Sequence, residues 1–133
     1  MAKVALDTSV LVALDRGQAL GSVAINTDDR WIISVVVLAE LLVAAKSLTR
    51  TDSARARTEA FLELIKSKCE IQAIDEETAG VFAELRAFAI SEGKPRGVND
   101  LWIAASAIRA GAELWSVDQS ARFDELPGLR LRH

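Results

Sequence analysis

Residues 3–9 read Lys3-Val4-Ala5-Leu6-Asp7-Thr8-Ser9, and the order of those residue types decides the fold. A short apolar run without polar alternation suits a strand covered on both faces. Asp7, Thr8 and Ser9 then supply the side-chain oxygens that open a helix, which continues through Leu14 and stops before Gly17. The same alternation recurs down the chain. Trp31 to Ile33 predicts a second strand, and Ser34 caps a helix from Val36 to about Lys46 that is apolar on nearly every side and is therefore expected to be buried. Polar residues from Thr49 to Arg57 lead into a helix whose inner face is Phe61, Leu64 and Ile65. Glu70 to Ile74 predicts a third strand. Asp75 then caps a helix over Glu76–Ser91, in which Thr78, Phe82, Leu85 and Ala89 fall on one stripe. After the loop Gly93-Lys94-Pro95-Arg96-Gly97 comes an apolar helix from Asp100 to Ala110, a fourth strand at Glu113–Ser116 and a last short strand at Leu129–Leu131. Strands alternating with helices predict an α/β protein, a three-layer α/β/α sandwich around a mostly parallel sheet of four or five strands. A chain of 133 residues without a repeat or a Pro/Gly-rich linker is expected to form one domain over residues 1–133.

Composition narrows the chemistry. Cys69 is the single cysteine, which excludes an internal disulfide and a zinc site of several thiolates. The single histidine is His133, the last residue, so Ser-His-Asp, Cys-His and histidine-ligated metal chemistry have no place to stand. Tyrosine is absent, which leaves the 19 carboxylates as the main reactive groups. A net charge of -3 and a pI near 5.2 argue against nucleic-acid binding by bulk electrostatics, so any such ligand must meet a local basic cluster. The most apolar stretch, Trp31 to Ala45, is broken by Ser34 and Glu40 and falls short of the roughly 20 residues that span a bilayer. No membrane association is expected. The first residues lack a secretory h-region and cleavage site, so the expected location is cytoplasmic.

Parallel sheets bind ligands beyond the carboxyl ends of their strands. Four acids fall near that edge: Asp7 after the first strand, Asp118 after the fourth, Asp100 opening an apolar helix and Glu40 inside another. Each has a structural reading beside the functional one. Asp7 and Asp100 suit helix caps or first-turn acids, and Asp118 suits a turn. Glu40 is flanked by Val35–Ala39 and Leu41–Ala45, so its carboxylate faces core and needs a proton, a metal or a partner such as Arg16. Carboxylates crowded into one cleft raise one another's pKa values unless a cation joins them. Oxygen donors without histidine or cysteine suit Mg²⁺ or Mn²⁺, ions that activate water for phosphodiester hydrolysis.

The residues around these acids also carry a resemblance. Val4-Ala5-Leu6-Asp7-Thr8-Ser9, Ile33-Ser34-Val35 with Ala39-Glu40-Leu41, Asn99-Asp100-Leu101-Trp102-Ile103-Ala104-Ala105 and Leu114-Trp115-Ser116-Val117-Asp118 resemble, in order and spacing, the successive motifs of PIN-domain ribonucleases. The compact length and the tail Phe123–Leu129 are similar to VapC toxins of toxin–antitoxin pairs. The resemblance implies a metal-dependent endoribonuclease that leaves a 5′-phosphate and a 3′-hydroxyl. It implies that Asp7, Glu40, Asp100 and Asp118 form the acidic pocket for Mg²⁺ or Mn²⁺. In that scheme Asp7 and Asp100 are direct ligands, Glu40 acts through water, and Asp118 holds a second ion or orients the first one's water. Thr8, Ser9 and Ser116 are supporting hydroxyls, Ser116 standing where many relatives have threonine. Lys94, Arg96 and Arg16 are the first candidates for the RNA backbone, with Arg50, Arg55 and Arg57 behind them. The implied partners are RNA, a VapB-type antitoxin that lies in a groove near the pocket, and a second copy of the chain. Two other classes were weighed: a PIN-like binding module without activity, which would be expected to lose some of the acids, and aspartyl-phosphate enzymes. Ser116-Val117-Asp118 lacks the late lysine of a receiver domain, and Ser9 stands where a dehalogenase-type site needs aspartate.

Overall fold

The computed structural model describes residues 2–18, 28–47 and 51–132, so Arg50 and His133 lie outside the described residues. Strands β1 (Lys3–Leu6), β2 (Arg30–Ser34), β3 (Glu70–Gln72) and β4 (Glu113–Trp115) form one sheet in the order β3-β2-β1-β4, with every pairing parallel. The chain steps from β1 to β2 to β3 on one side and returns to lay β4 on the other. That reversal places a topological switch point between β1 and β4, where the carboxyl ends of the strands open a crevice. Val4, Ala5 and Leu6 are all buried, and since successive strand residues point to opposite faces, both faces of the sheet are covered.

Helices α1 (Thr8–Asp15), α2 (Val35–Ala45), α3 (Asp52–Lys68), α4 (Glu76–Ser91) and α5 (Val98–Ala110) supply the cover. Helix α5 packs on β1, β2 and β4; α2 packs on β2 and β3; α4 packs on α5, and α1 and α3 pack on α2. Phe82 and Trp102 stack with ring centroids 3.8 Å apart and tie α4 to α5, while Trp31 and Trp115 meet at 6.0 Å from β2 and β4, the two strands that flank β1. All three tryptophans thus pack against another aromatic ring.

The elements depart from expectation where local chemistry outweighs pattern. Thr51 caps α3 through Ala54 N–H at 3.2 Å, so residues 52–57 are helical and not a lead-in. The buried stripe of α3 is Thr58, Leu62 and Ile65, and Leu64 is turned outward at 52% exposure. Thr58 behaves as an apolar residue because its hydroxyl is spent on the Ala54 carbonyl at 3.0 Å. Helix α2 is not buried all round. Val37, Leu41 and Ala45 face the core, and Val43 on the far side is 72% exposed. The expected strand at 129–131 is a single parallel bridge from Leu131 to Leu114, in which Leu114 donates to the Arg130 carbonyl at 2.8 Å and accepts the Arg132 N–H at 2.9 Å. The sheet therefore has four strands. Helix α5 begins at Val98 with Gly97 as its N-cap, which puts Asp100 in the first turn and not at the cap.

Candidate active site

The switch point gathers the polar residues that follow β1 and β4. Asp7 is 4% exposed, and its N–H donates to the Trp115 carbonyl at 3.0 Å, carrying the β1–β4 ladder one residue past the strands. It occupies the N-cap position of α1, yet its side chain caps nothing. Asp75 shows the alternative: its Oδ1 accepts the Thr78 N–H at 2.8 Å and the Thr78 hydroxyl at 2.7 Å, and these bonds, with Arg109 beyond them, bring its carboxyl down to about 2. Asp7 instead turns Oδ2 toward two hydroxyls, Ser9 at 2.6 Å and Ser116 at 2.8 Å. Those serines are fixed in turn, since Ser9 Oγ accepts the Val117 N–H at 3.1 Å and Ser116 Oγ accepts the Asp118 N–H at 3.1 Å. The capping reading of Asp7 is therefore set aside.

Glu40 projects from α2 and is half-buried. Its Oε1 accepts the Thr8 hydroxyl at 2.7 Å, so the partner is a hydroxyl of α1 and not Arg16, which is exposed at the C-cap of that helix. Asp100 is half-buried in the first turn of α5. Its carboxyl is held above the usual carboxylate range, first by burial and then by the charges of Asp7, Asp118 and Glu40, with Arg96 opposing them. Three acids from three other elements thus act on the fourth. A Cβ at Gly97 would stand 3.3 Å from Asp100 Oδ2, so the glycine keeps open the space beside that oxygen.

Asp118 is exposed and caps a short 3₁₀ turn, Gln119–Ala121, through Oδ1, which accepts the Ser120 N–H at 2.9 Å and its hydroxyl at 2.6 Å. Its turn role is real, and Oδ2 is left without a hydrogen bond among the described residues. Among those residues no three acidic, cysteine or histidine side chains are grouped tightly enough to hold a metal ion as they stand.

Two open cavities flank the Asp118 segment. One of about 480 Å³ is lined by Ser116, Asp118, Gln119 and Arg122, and the other, of about 520 Å³, by Lys94, Gly97, Asp100, Ser120 and Arg122. Lys94 is exposed at this edge and reaches Glu125 at 3.4 Å. Arg96, expected as an RNA contact, also lines the second cavity, but its side chain is 4% exposed and bonded to Glu125 Oε1 at 2.7 Å. Glu125, inside the tail Phe123–Leu129, was given no role from sequence because nothing in its spacing sets it apart from Asp124 beside it. A separate, largely apolar groove of about 420 Å³ is lined by Leu6, Leu14, Trp31, Phe61, Leu64 and Trp115, among others.

The PIN domain family model matches residues 4–129. Ribonuclease VapC5 of Mycobacterium tuberculosis is 37% identical over 123 residues, covering 92% of this chain and 87% of that protein. The crystal structure of VapBC-5 from Mycobacterium tuberculosis, a member of the VapBC family of toxin-antitoxin systems, superposes with a TM-score of 0.79 at 29% identity, over 100% of this chain and 99% of that one. VapBC2 from Rickettsia felis, crystallised with a DNA fragment from their promoter, superposes with a TM-score of 0.81 at 25% identity, over 98% and 97%. No helix among the described residues is long and apolar enough to cross a membrane.

Proposed function

The chain belongs to the PIN domain family, and from that membership we propose that it is a divalent-metal-dependent endoribonuclease, the toxin of a toxin–antitoxin pair, acting in the cytoplasm as a single domain over residues 1–133. The observation that carries this reading is the convergence of Asp7, Glu40 and Asp118 on the raised carboxyl of Asp100 at the switch point.

A hard divalent cation, Mg²⁺ or Mn²⁺, fits this donor set. The donors are all oxygen, Asp7 is aimed away from the cap it could have served, and Gly97 leaves space beside Asp100 Oδ2. Asp7 and Asp100 would be the direct ligands, Glu40 would act through water, and Asp118 would hold a second ion or orient a water. When bound, such an ion lowers the pKa of water and withdraws charge from phosphoryl oxygens. The chain's own groups do the rest. Ser9 and Ser116 hold the Asp7 carboxylate in one orientation, and Thr8 holds that of Glu40. Lys94 and Arg16 meet the RNA backbone, and the cavities on either side of Asp118 accept the chain that flanks the scissile phosphate. The products carry a 5′-phosphate and a 3′-hydroxyl. A VapB-type antitoxin occupies the apolar groove between α1 and α3, and the outward face of α2, with Val43, supplies a homodimer contact.

The competing reading, an inactive PIN-like binding module, is disfavoured by the presence of all four acids, with Asp7, Glu40 and Asp118 each bonded to a hydroxyl. The deciding experiment is cleavage of a mixed cellular RNA pool by antitoxin-free protein with Mg²⁺ or Mn²⁺, beside an EDTA control and Asp100→Asn. Metal-dependent cuts with 5′-phosphate ends, lost in the variant, are expected. Folded protein that cuts nothing would favour the binding module.

A further inference from the structure

We infer that Arg96, clamped to Glu125, is a positioning residue of the acidic site, fixing the loop that leads into Asp100 against the segment that carries Asp118. The inference rests on the site reading above and extends it to a residue pair at the edge of the cavity beside Asp100.

Asp118 stands beyond the end of β4, outside the hydrogen-bond ladder that fixes Asp7. Ser116 and Ser9 tie the backbone at Asp118 and Val117 to the Asp7 side of the site, and the placing of Asp118 against Asp100 depends on what joins the segment after it to the loop before α5. Arg96 lies in the loop just before α5 and reaches across to the two 3₁₀ turns, Gln119–Ala121 and Phe123–Glu125. Its Nη1 donates to the Ala121 and Arg122 carbonyls, both at 3.0 Å, and its Nη2 donates to Glu125 Oε1 at 2.7 Å. Glu125 also accepts from Lys94 at 3.4 Å and from Arg122 Nη2 at 2.9 Å, so one carboxylate gathers three cations. Arg122 is the one non-glycine residue with a positive φ, 52°, among the described residues. The kink it makes between the two turns is the point that Arg96 grips. One planar fork serves two carbonyls and a carboxylate at fixed angles, which a lysine ammonium cannot reproduce.

A pair that merely stabilises the fold would give the same contacts, so the test must read the site itself. Arg96→Lys, Arg96→Met, Glu125→Gln and Glu125→Ala are compared with the full chain for thermal melting without metal, for Mn²⁺ affinity by electron paramagnetic resonance titration, and for RNA cleavage at saturating Mn²⁺. Weakening of Mn²⁺ binding by roughly 10-fold or more is expected in both Arg96 variants, the usual cost of losing an outer-shell partner, with kcat reduced and KM for RNA little changed. Glu125→Gln, which keeps an acceptor for Nη2, retains more Mn²⁺ affinity than Glu125→Ala. Wild-type Mn²⁺ affinity and kcat with a lowered melting temperature would overturn the inference in favour of a purely structural pair. A raised KM with Mn²⁺ affinity intact would overturn it in favour of a phosphate contact. If the Arg96 variants do not fold, the two Glu125 variants decide by the same criteria. Asp100→Asn is run alongside: if it binds Mn²⁺ like the parent, the site reading fails, whereas its loss of Mn²⁺ beside unaffected Arg96 variants defeats the clamp alone.

Discussion

Ser116 donates its hydroxyl to Asp7 Oδ2 at 2.8 Å across the β1–β4 boundary while accepting the Asp118 N–H at 3.1 Å. One side chain thereby links the buried acid of the site to the backbone of the exposed one. The carboxylate that would otherwise cap α1 is drawn toward the crevice, and Ser9 completes the grip from the helix side.

Removing one of two hydroxyls leaves Asp7 partly held. Ser116→Ala is expected to lower kcat about 10-fold, and Ser9→Ala with Ser116→Ala together by about 100-fold, on the scale of lost outer-shell bonds. Folding should survive, since neither serine is part of the apolar core. Steady-state cleavage of a defined RNA, with circular dichroism for the fold, checks this, and full activity in the double variant would remove the serines from the site.

Thr8 offers a sharper comparison because its hydroxyl has one acidic partner, Glu40 at 2.7 Å. Thr8→Val preserves shape and deletes the bond, so cleavage is expected to fall by roughly 10-fold, while Thr8→Ser restores most of it. Equal activity in Thr8→Val and Thr8→Ser would show that packing, not the hydroxyl, is what Thr8 contributes.

Much of this site was legible in the sequence because parallel-sheet topology converts position in the chain into position in space. Acids after β1 and β4 fall at the same edge whatever the loops do, and Asp100 follows from the helix that feeds β4. The hydroxyls at Thr8, Ser9 and Ser116 were visible for the same reason. What was not legible depends on three-dimensional partners. Nothing about Arg96 in a Gly/Pro loop announces that it will be buried, and Glu125 lies 29 residues further on. The inward face of α3 was misread because Thr58 counts as polar by type and is apolar in place. The burial of α2 was overestimated because residue type alone does not separate an apolar face sealed in the core from one open to solvent, such as that of Val43.

The raised carboxyl of Asp100 gives a pH prediction with a definite sign. Burial and the neighbouring anions favour its protonated form in the fold above the value in the unfolded chain. Below the ordinary carboxylate range both states are protonated and the group has no effect on stability. As pH rises through its folded pKa, ionisation destabilises the metal-free protein, and the penalty is complete above it. Asp100→Asn mimics the neutral acid, so without metal it is expected to melt roughly 2 to 4 °C above the parent at pH 7, with the gap closing at acid pH. Mn²⁺ should reverse the order by stabilising the parent alone. Melting curves across pH in EDTA and in Mn²⁺ test this, and a variant less stable at pH 7 in EDTA would mean that Asp100 is structural.

The apolar groove makes a prediction separable from catalysis. Leu14 and Leu64 line it at 44% and 52% exposure, enough that a charged substitute has water to reach and the core beneath is not opened. Neither lines the cavities beside Asp118, so RNA cleavage should proceed in Leu14→Glu and Leu64→Glu at close to the parent rate. A segment that docks by burying its own apolar side chains here would meet a desolvated charge, which weakens binding by several kcal/mol at an interface centre and by much less at a rim. The double variant is therefore expected to escape inhibition by the co-expressed antitoxin while remaining folded and active. Size-exclusion chromatography of the co-expressed pair and growth of the host report the two effects independently. If the double variant stays bound and inhibited, the antitoxin's anchor lies elsewhere, and the outward face of α2 around Val43 becomes the next surface to charge.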